Sequence, residues 1–137
     1  MPYKPLTILM ADDDWEDMEL MEDALADVEP TAVLHKVESG TAAINYLKAQ
    51  PDAELPCLII LDYNMPELKG SDVLALIRKD HRYKNIPKVI LSTSNTKAYI
   101  DECMHNGATE YFVKPHSFED LSKIAKRMLD FCDNTAN

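Results

Sequence analysis

Positive charge is what this chain has least of. Its 14 Lys and Arg stand against 24 Asp and Glu, a formal net charge of -10 over 137 residues. Phosphate backbones and anionic bilayers are held by Lys and Arg, so this balance excludes sequence-independent binding to nucleic acid or to a membrane surface. Long hydrophobic runs are missing as well. The apolar stretch nearest the N-terminus, residues 6–11, is too short for a signal-peptide core and is stopped by Asp12, Asp13 and Asp14. Cysteine is sparse: Cys57, Cys103 and Cys132 are odd in number, far apart and set in apolar runs. That pattern predicts reduced core thiols, not a disulfide framework, and with them a cytoplasmic location. No internal repeat, low-complexity tract or linker is visible. The length suits one domain, read here as residues 1–137, with a single buried core and no attached output module.

What is present is a regular alternation. Apolar runs rich in β-branched residues at 6–11, 32–37, 57–61, 87–91 and 109–113 predict five strands. Segments of amphipathic spacing at about 15–28, 40–49, 70–79, 96–106 and 117–132 predict five helices between and after them. In the first helix Met18, Met21, Leu25 and Val28 recur at three- and four-residue steps, and Pro30 follows its end. Gly107 is placed as the left-handed cap of the fourth helix. The unbroken run at 57–61 reads as a central strand covered on both faces, whereas the polar neighbours His35 and Lys36 put the second strand nearer an edge. Alternating strand–helix units imply right-handed crossovers and an α/β, doubly wound five-stranded parallel sheet.

Charged residues recur where strands end. Asp12 and Asp13 follow strand one, Asp62 follows strand three and Lys114 follows strand five. Open α/β sheets bind ligands outside the carboxyl ends of their strands, so these residues share one predicted pocket. Converging carboxylates repel unless a cation compensates them, and a hard divalent ion, Mg²⁺ above all, takes oxygen ligands of this kind. Lys114 adds a point charge for an anion beside the metal. A carboxylate nucleophile, a metal and a lysine together suit phosphoryl transfer. Asp14 reads as the cap of the first helix, and His35, His81, His105 and His116, which lack metal spacing, read as surface residues.

The residues ADDD at 11–14, LDYNMP at 61–66, Gly70, Ser92-Thr93-Ser94 and YFVKP at 111–115 closely resemble the receiver domain of bacterial two-component response regulators. The resemblance covers nearly the whole chain. It implies a flavodoxin-like (βα)5 fold with strand order 2-1-3-4-5. It further implies that Asp62 is the phosphoacceptor, with Asp13 and Asp62 binding Mg²⁺ directly, Asp12 through water and Asn64 through its backbone carbonyl. Lys114 and Ser92 would contact the phosphoryl group. Ser92 and Tyr111 would form the switch that carries the event to the surface of helix four, strand five and helix five, a surface for a downstream target or a homodimer. The Lys114–Pro115 bond would be cis. The implied donor is a histidine kinase or a histidine phosphotransfer protein, and the implied role is signalling, not enzyme catalysis, beyond self-phosphorylation and self-dephosphorylation. The Ser-Thr-Ser run and the segment 81–87 resemble the stand-alone subgroup that includes partners of phytochrome-type kinases.

Two other functions share parts of this pattern. A haloacid-dehalogenase-like phosphohydrolase also uses an aspartyl phosphate and Mg²⁺, but its nucleophile lies on strand one and its cap insertion has no room here. A flavodoxin-like cofactor carrier would need Ser, Thr or Gly after strand one, where this chain places aspartates that repel phosphate.

Overall fold

In the computed structural model, which describes residues 5–135, β-strands and α-helices alternate along the chain. The strands are β1 (Thr7–Ala11), β2 (Val33–Val37), β3 (Leu58–Leu61), β4 (Lys88–Ser92) and β5 (Glu110–Val113), and the helices are α1 (Trp15–Val28), α2 (Gly40–Ala49), α3 (Gly70–Ile77), α4 (Lys97–His105) and α5 (Phe118–Thr135). All strand pairs are parallel, in the order β2-β1-β3-β4-β5. The order reverses between β1 and β3, so a crevice opens at their carboxyl ends.

Alternation along each strand sorts the core into two layers. Ile8, Met10, Leu58, Ile60, Val89 and Leu91 face α1 and α5, where Met18, Met21, Leu25, Ala125 and Met128 meet them. Leu9, Ile59, Leu61 and Ile90 face the other way, onto Leu47 of α2, Val73 and Leu74 of α3 and Cys103 of α4. Every residue of β3 is buried, whereas β2 alternates and leaves Val33 and His35 exposed, as a central and an edge strand should. Each Leu or Ile so enclosed contributes about 1.5–3 kcal/mol.

Helix ends follow local chemistry. Asp14 caps α1 by accepting from the Asp17 amide at 3.2 Å, and Ser39 caps α2 through Ala42. Gly107 adopts φ +105°, which ends α4 in the left-handed region where a side chain would be strained. Helix α3 closes at Ile77, and α5 runs on to Thr135.

Two expectations are corrected. Cys57 and Cys132 form a disulfide, so only Cys103 among the three remains a free, buried thiol. The sequence could not reveal this pairing, because packing of α5 across the sheet brings together Cα atoms 75 residues apart to 5.1 Å, within bridging range. The Lys114–Pro115 bond is trans, as are all peptide bonds among the described residues. Trans is the favoured isomer even before proline, and Lys114 reaches its partners with the chain in that form.

Candidate functional site

The crevice is built from strand ends. Buried β1 delivers Asp12, which is fully enclosed, and then Asp13, which is exposed where the chain turns outward into α1. Buried β3 delivers Asp62, 6 % exposed. Carboxylate oxygens of Asp12, Asp13 and Asp62 all lie within 4.8 Å of one another, a set that could hold a metal ion. From β5 comes Lys114, whose Nζ donates to Asp12 Oδ2 and to Asp17 Oδ2 at 2.8 Å each and stands 3.6 Å from Asp62 Oδ2.

Burial governs the electrostatics. It pushes the Asp12 carboxyl up to about 6, against the Lys114 and Asp14 hydrogen bonds that pull it down. Burial also raises Asp62, opposed first by the Lys114 charge. For Lys114 burial works to lower the pKa, but the hydrogen bonds it donates to Asp12 and Asp17 outweigh it, and the ammonium is held above its ordinary range. One cation therefore serves three carboxylates, and the cluster is short of positive charge. A hard cation with oxygen ligands fits that deficit.

The loop after β3 is fixed from both sides. Gly70 passes so close to Asp62 that a Cβ would stand 2.4 Å from its carbonyl oxygen, and the Gly70 amide donates to Tyr63 O at 2.9 Å. Only glycine fits there. Tyr63, 1 % exposed, stacks on Tyr99 of α4 at 4.2 Å and donates its hydroxyl to Glu102 at 3.2 Å. Asn64 follows, exposed on the same loop. Ser92, fully buried, ends β4 and accepts from the Ser94 amide at 3.3 Å, while the Tyr111 hydroxyl donates to Ser94 O at 2.7 Å. Ser92 and Tyr111 thus meet at one short turn.

Asp17 and Tyr63 went unnoticed in the sequence. Asp17 looks like any first-turn acid favouring the helix dipole, and its contact with Lys114 spans 97 residues. Tyr63 looks like a loop aromatic until α4 is packed against it.

This arrangement has a family counterpart. Residues 8–126 match the response regulator receiver domain. The chain belongs to that family. Two-component response regulator ORR7 of Oryza sativa subsp. japonica is 39 % identical over 93 residues, 68 % of this receiver but only 43 % of that protein's length. The phosphorylated cyanobacterial phytochrome response regulator RcpA shares 31 % identity and a TM-score of 0.85, over 98 % of each chain. The Mn²⁺-bound form of response regulator Rcp1 shares 30 % identity and a TM-score of 0.79, over 93 % of this chain and 94 % of that one. The receiver is thus a signalling module of two-component systems, and its acidic pocket fits a phosphoacceptor site. The family match decides against the phosphohydrolase and the cofactor carrier. No helix among the described residues is long and apolar enough to cross a membrane.

Proposed function

We propose that Asp62 accepts a phosphoryl group from the phosphohistidine of a histidine kinase or histidine phosphotransfer protein, with Mg²⁺ held by Asp12, Asp13, Asp62 and the Asn64 carbonyl. The observation that carries this is the convergence of Asp12, Asp13 and Asp62 at the strand ends, two of them paired with Lys114. An Asp62 carboxylate oxygen attacks phosphorus. The O–P bond forms as the P–N bond breaks, and the donor imidazole leaves and takes up a proton. Lys114, 3.6 Å from Asp62 Oδ2, is placed to balance charge on the transferred oxygens. Bound Mg²⁺ supplies further positive charge at those oxygens. Beside the pocket a small cleft lined by Leu20, Pro115 and Leu121 gives the donor an apolar foothold.

Once phosphorylated, Ser92 turns its hydroxyl to the new group and Tyr111 follows, which alters the face of α4, β5 and α5. Met104, Val113 and Phe118, one on each element, are 44 %, 42 % and 45 % exposed, a surface suited to a protein target or a second copy. This receiver domain acts in the cytoplasm. RcpA, a phytochrome response regulator, makes a phytochrome-type kinase the first donor to try.

The test is incubation with acetyl phosphate and Mg²⁺, followed by intact mass. One labile phosphoryl group is expected, and none in Asp62→Asn. Stoichiometric labelling retained in Asp62→Asn would overturn the assignment.

A further inference from the structure

We propose that a groove at the amino ends of β4 and β5 binds a small organic anion, a phosphate or carboxylate on a compact apolar body. The groove has two adjoining lobes. The larger, about 320 Å³, has Ile86, Pro87 and Phe131 on its apolar side, and the smaller, about 210 Å³, has Arg78 and Asn106. Lys84, Lys88 and Gly107 line both. Together they have the size and the mixed lining of a small-molecule site.

Clustering of positive charge is the distinguishing feature. In a chain with 24 acids and 14 bases, a cluster of cations should find carboxylates nearby. Among the described residues Arg78, Lys84 and Lys88 make no ion pair, which is equally true of Lys48, Lys69, Lys79 and Lys126; what sets the three apart is that they line one groove and that Lys88 is half-buried there. Lys88 is half-buried and donates to Tyr83 O at 2.6 Å, and Arg78 donates to His105 O at 2.9 Å. Those contacts cap two carbonyls without neutralising either charge. A partly buried cation lacking a counter-charge is costly, and a second cation beside it adds repulsion. Burial, then the Arg78 charge, lowers the Lys88 pKa, in keeping with that frustration. An anion bridging Lys84, Lys88 and Arg78 relieves both effects. The net negative charge of the molecule does not forbid it, because charges beyond about 8–10 Å are screened at physiological salt.

The position gives such a ligand leverage. Lys88 opens the strand that Ser92 closes, Asn106 and Gly107 end α4, and Phe131 lies on α5. Occupancy therefore touches the elements of the proposed output face from the end opposite Asp62.

The test is titration of the isotope-labelled protein with AMP, adenosine and inorganic phosphate at low salt, followed by amide shifts. AMP should give saturable shifts at 84–88 and 106–109, inorganic phosphate should bind the same residues more weakly, and adenosine should not bind. Lys84→Glu, at an exposed position, should weaken AMP by about tenfold or more while leaving the thermal midpoint unchanged. Adenosine matching AMP would overturn the anion claim, and phosphate matching AMP would overturn the apolar half. Shifts centred on other residues, or full AMP affinity in Lys84→Glu, would overturn the site.

Discussion

The two ends of the sheet are built on opposite terms. At the carboxyl end Asp12 is buried with its pKa pushed up to about 6, Asp62 is raised by the same burial, and one lysine serves three carboxylates. At the amino end β3 is stapled to α5 by Cys57–Cys132, Arg82 ties the turn before β4 to Asp52 at 2.7 Å and to the Gln50 carbonyl, and the Lys88 amide donates to Thr109 Oγ1 at 3.1 Å. Both ends hold unbalanced charge, acidic at the carboxyl end and basic around Lys88 at the amino end, but only the amino end also supplies ties that offset it. Functional sites are commonly less stable than a fold could make them, and here the most deeply buried charges, Asp12 and Asp62, lie at the carboxyl edge.

The Cys57–Cys132 staple carries the largest expected effect. Bridging residues 75 apart in sequence removes loop-closure entropy from the unfolded chain, on the order of 4 kcal/mol at room temperature. Replacing Cys57 and Cys132 with alanine, or reducing the bridge, should lower the unfolding free energy by up to that amount in urea titrations. Phosphoryl labelling of the folded protein should not change. If labelling fell in parallel while the protein stayed folded, the two ends would be coupled and the division drawn here would be wrong.

A smaller effect sharpens the other side. Because the acidic pocket lacks positive charge, Mg²⁺ at tenfold its Kd should stabilise the protein by roughly 1.4 kcal/mol, the linkage expected for binding to the folded state alone. Asp13→Ala should abolish that gain with little change in metal-free stability, since Asp13 is exposed and its side chain makes no hydrogen bond among the described residues. Denaturant midpoints with and without Mg²⁺ decide it. Equal stabilisation of both proteins would place the ion elsewhere.

How much of this was legible beforehand depended on range. Strands and helices were readable because their signals are local: the enclosed run ending at Leu61, the three- and four-residue steps from Met18 to Leu25, and Asp14 as a cap all depend on near neighbours. Asp12, Asp13, Asp62 and Lys114 were readable as one group because parallel topology fixes where strand ends meet. Contacts between the helices and the ends of the strands were not. The bridge from Cys57 to Cys132, the reach of Asp17 to Lys114 and the stacking of Tyr63 on Tyr99 depend on how α5, α1 and α4 settle on the sheet, and no local pattern encodes that settling. The same holds for the trans Lys114–Pro115 bond, where the resemblance implied an isomer that the packing does not adopt.

The smallest effect tests whether strain, besides charge, is concentrated at the carboxyl end. Glu67, in the loop between Asp62 and Gly70, holds φ at +70°, and it is the one non-glycine residue with positive φ among those described. Left-handed backbone costs an ordinary L-residue roughly 1–2 kcal/mol, while asparagine tolerates it by bonding to its own backbone. Glu67 is exposed, so its side chain gives little packing in return. Glu67→Asn should therefore stabilise the protein by about 0.5–1 kcal/mol, a thermal midpoint higher by a few degrees for a domain of this size. Asparagine is the better probe than glycine, whose extra freedom in the unfolded chain would cancel much of the gain. The same substitution removes one negative charge near the pocket, so Glu67→Gln is the control: it discards the charge and keeps the strain. A midpoint that rises in Glu67→Gln as much as in Glu67→Asn would assign the gain to charge. A rise confined to Glu67→Asn would establish that this edge of the sheet stores backbone strain as well as repulsion.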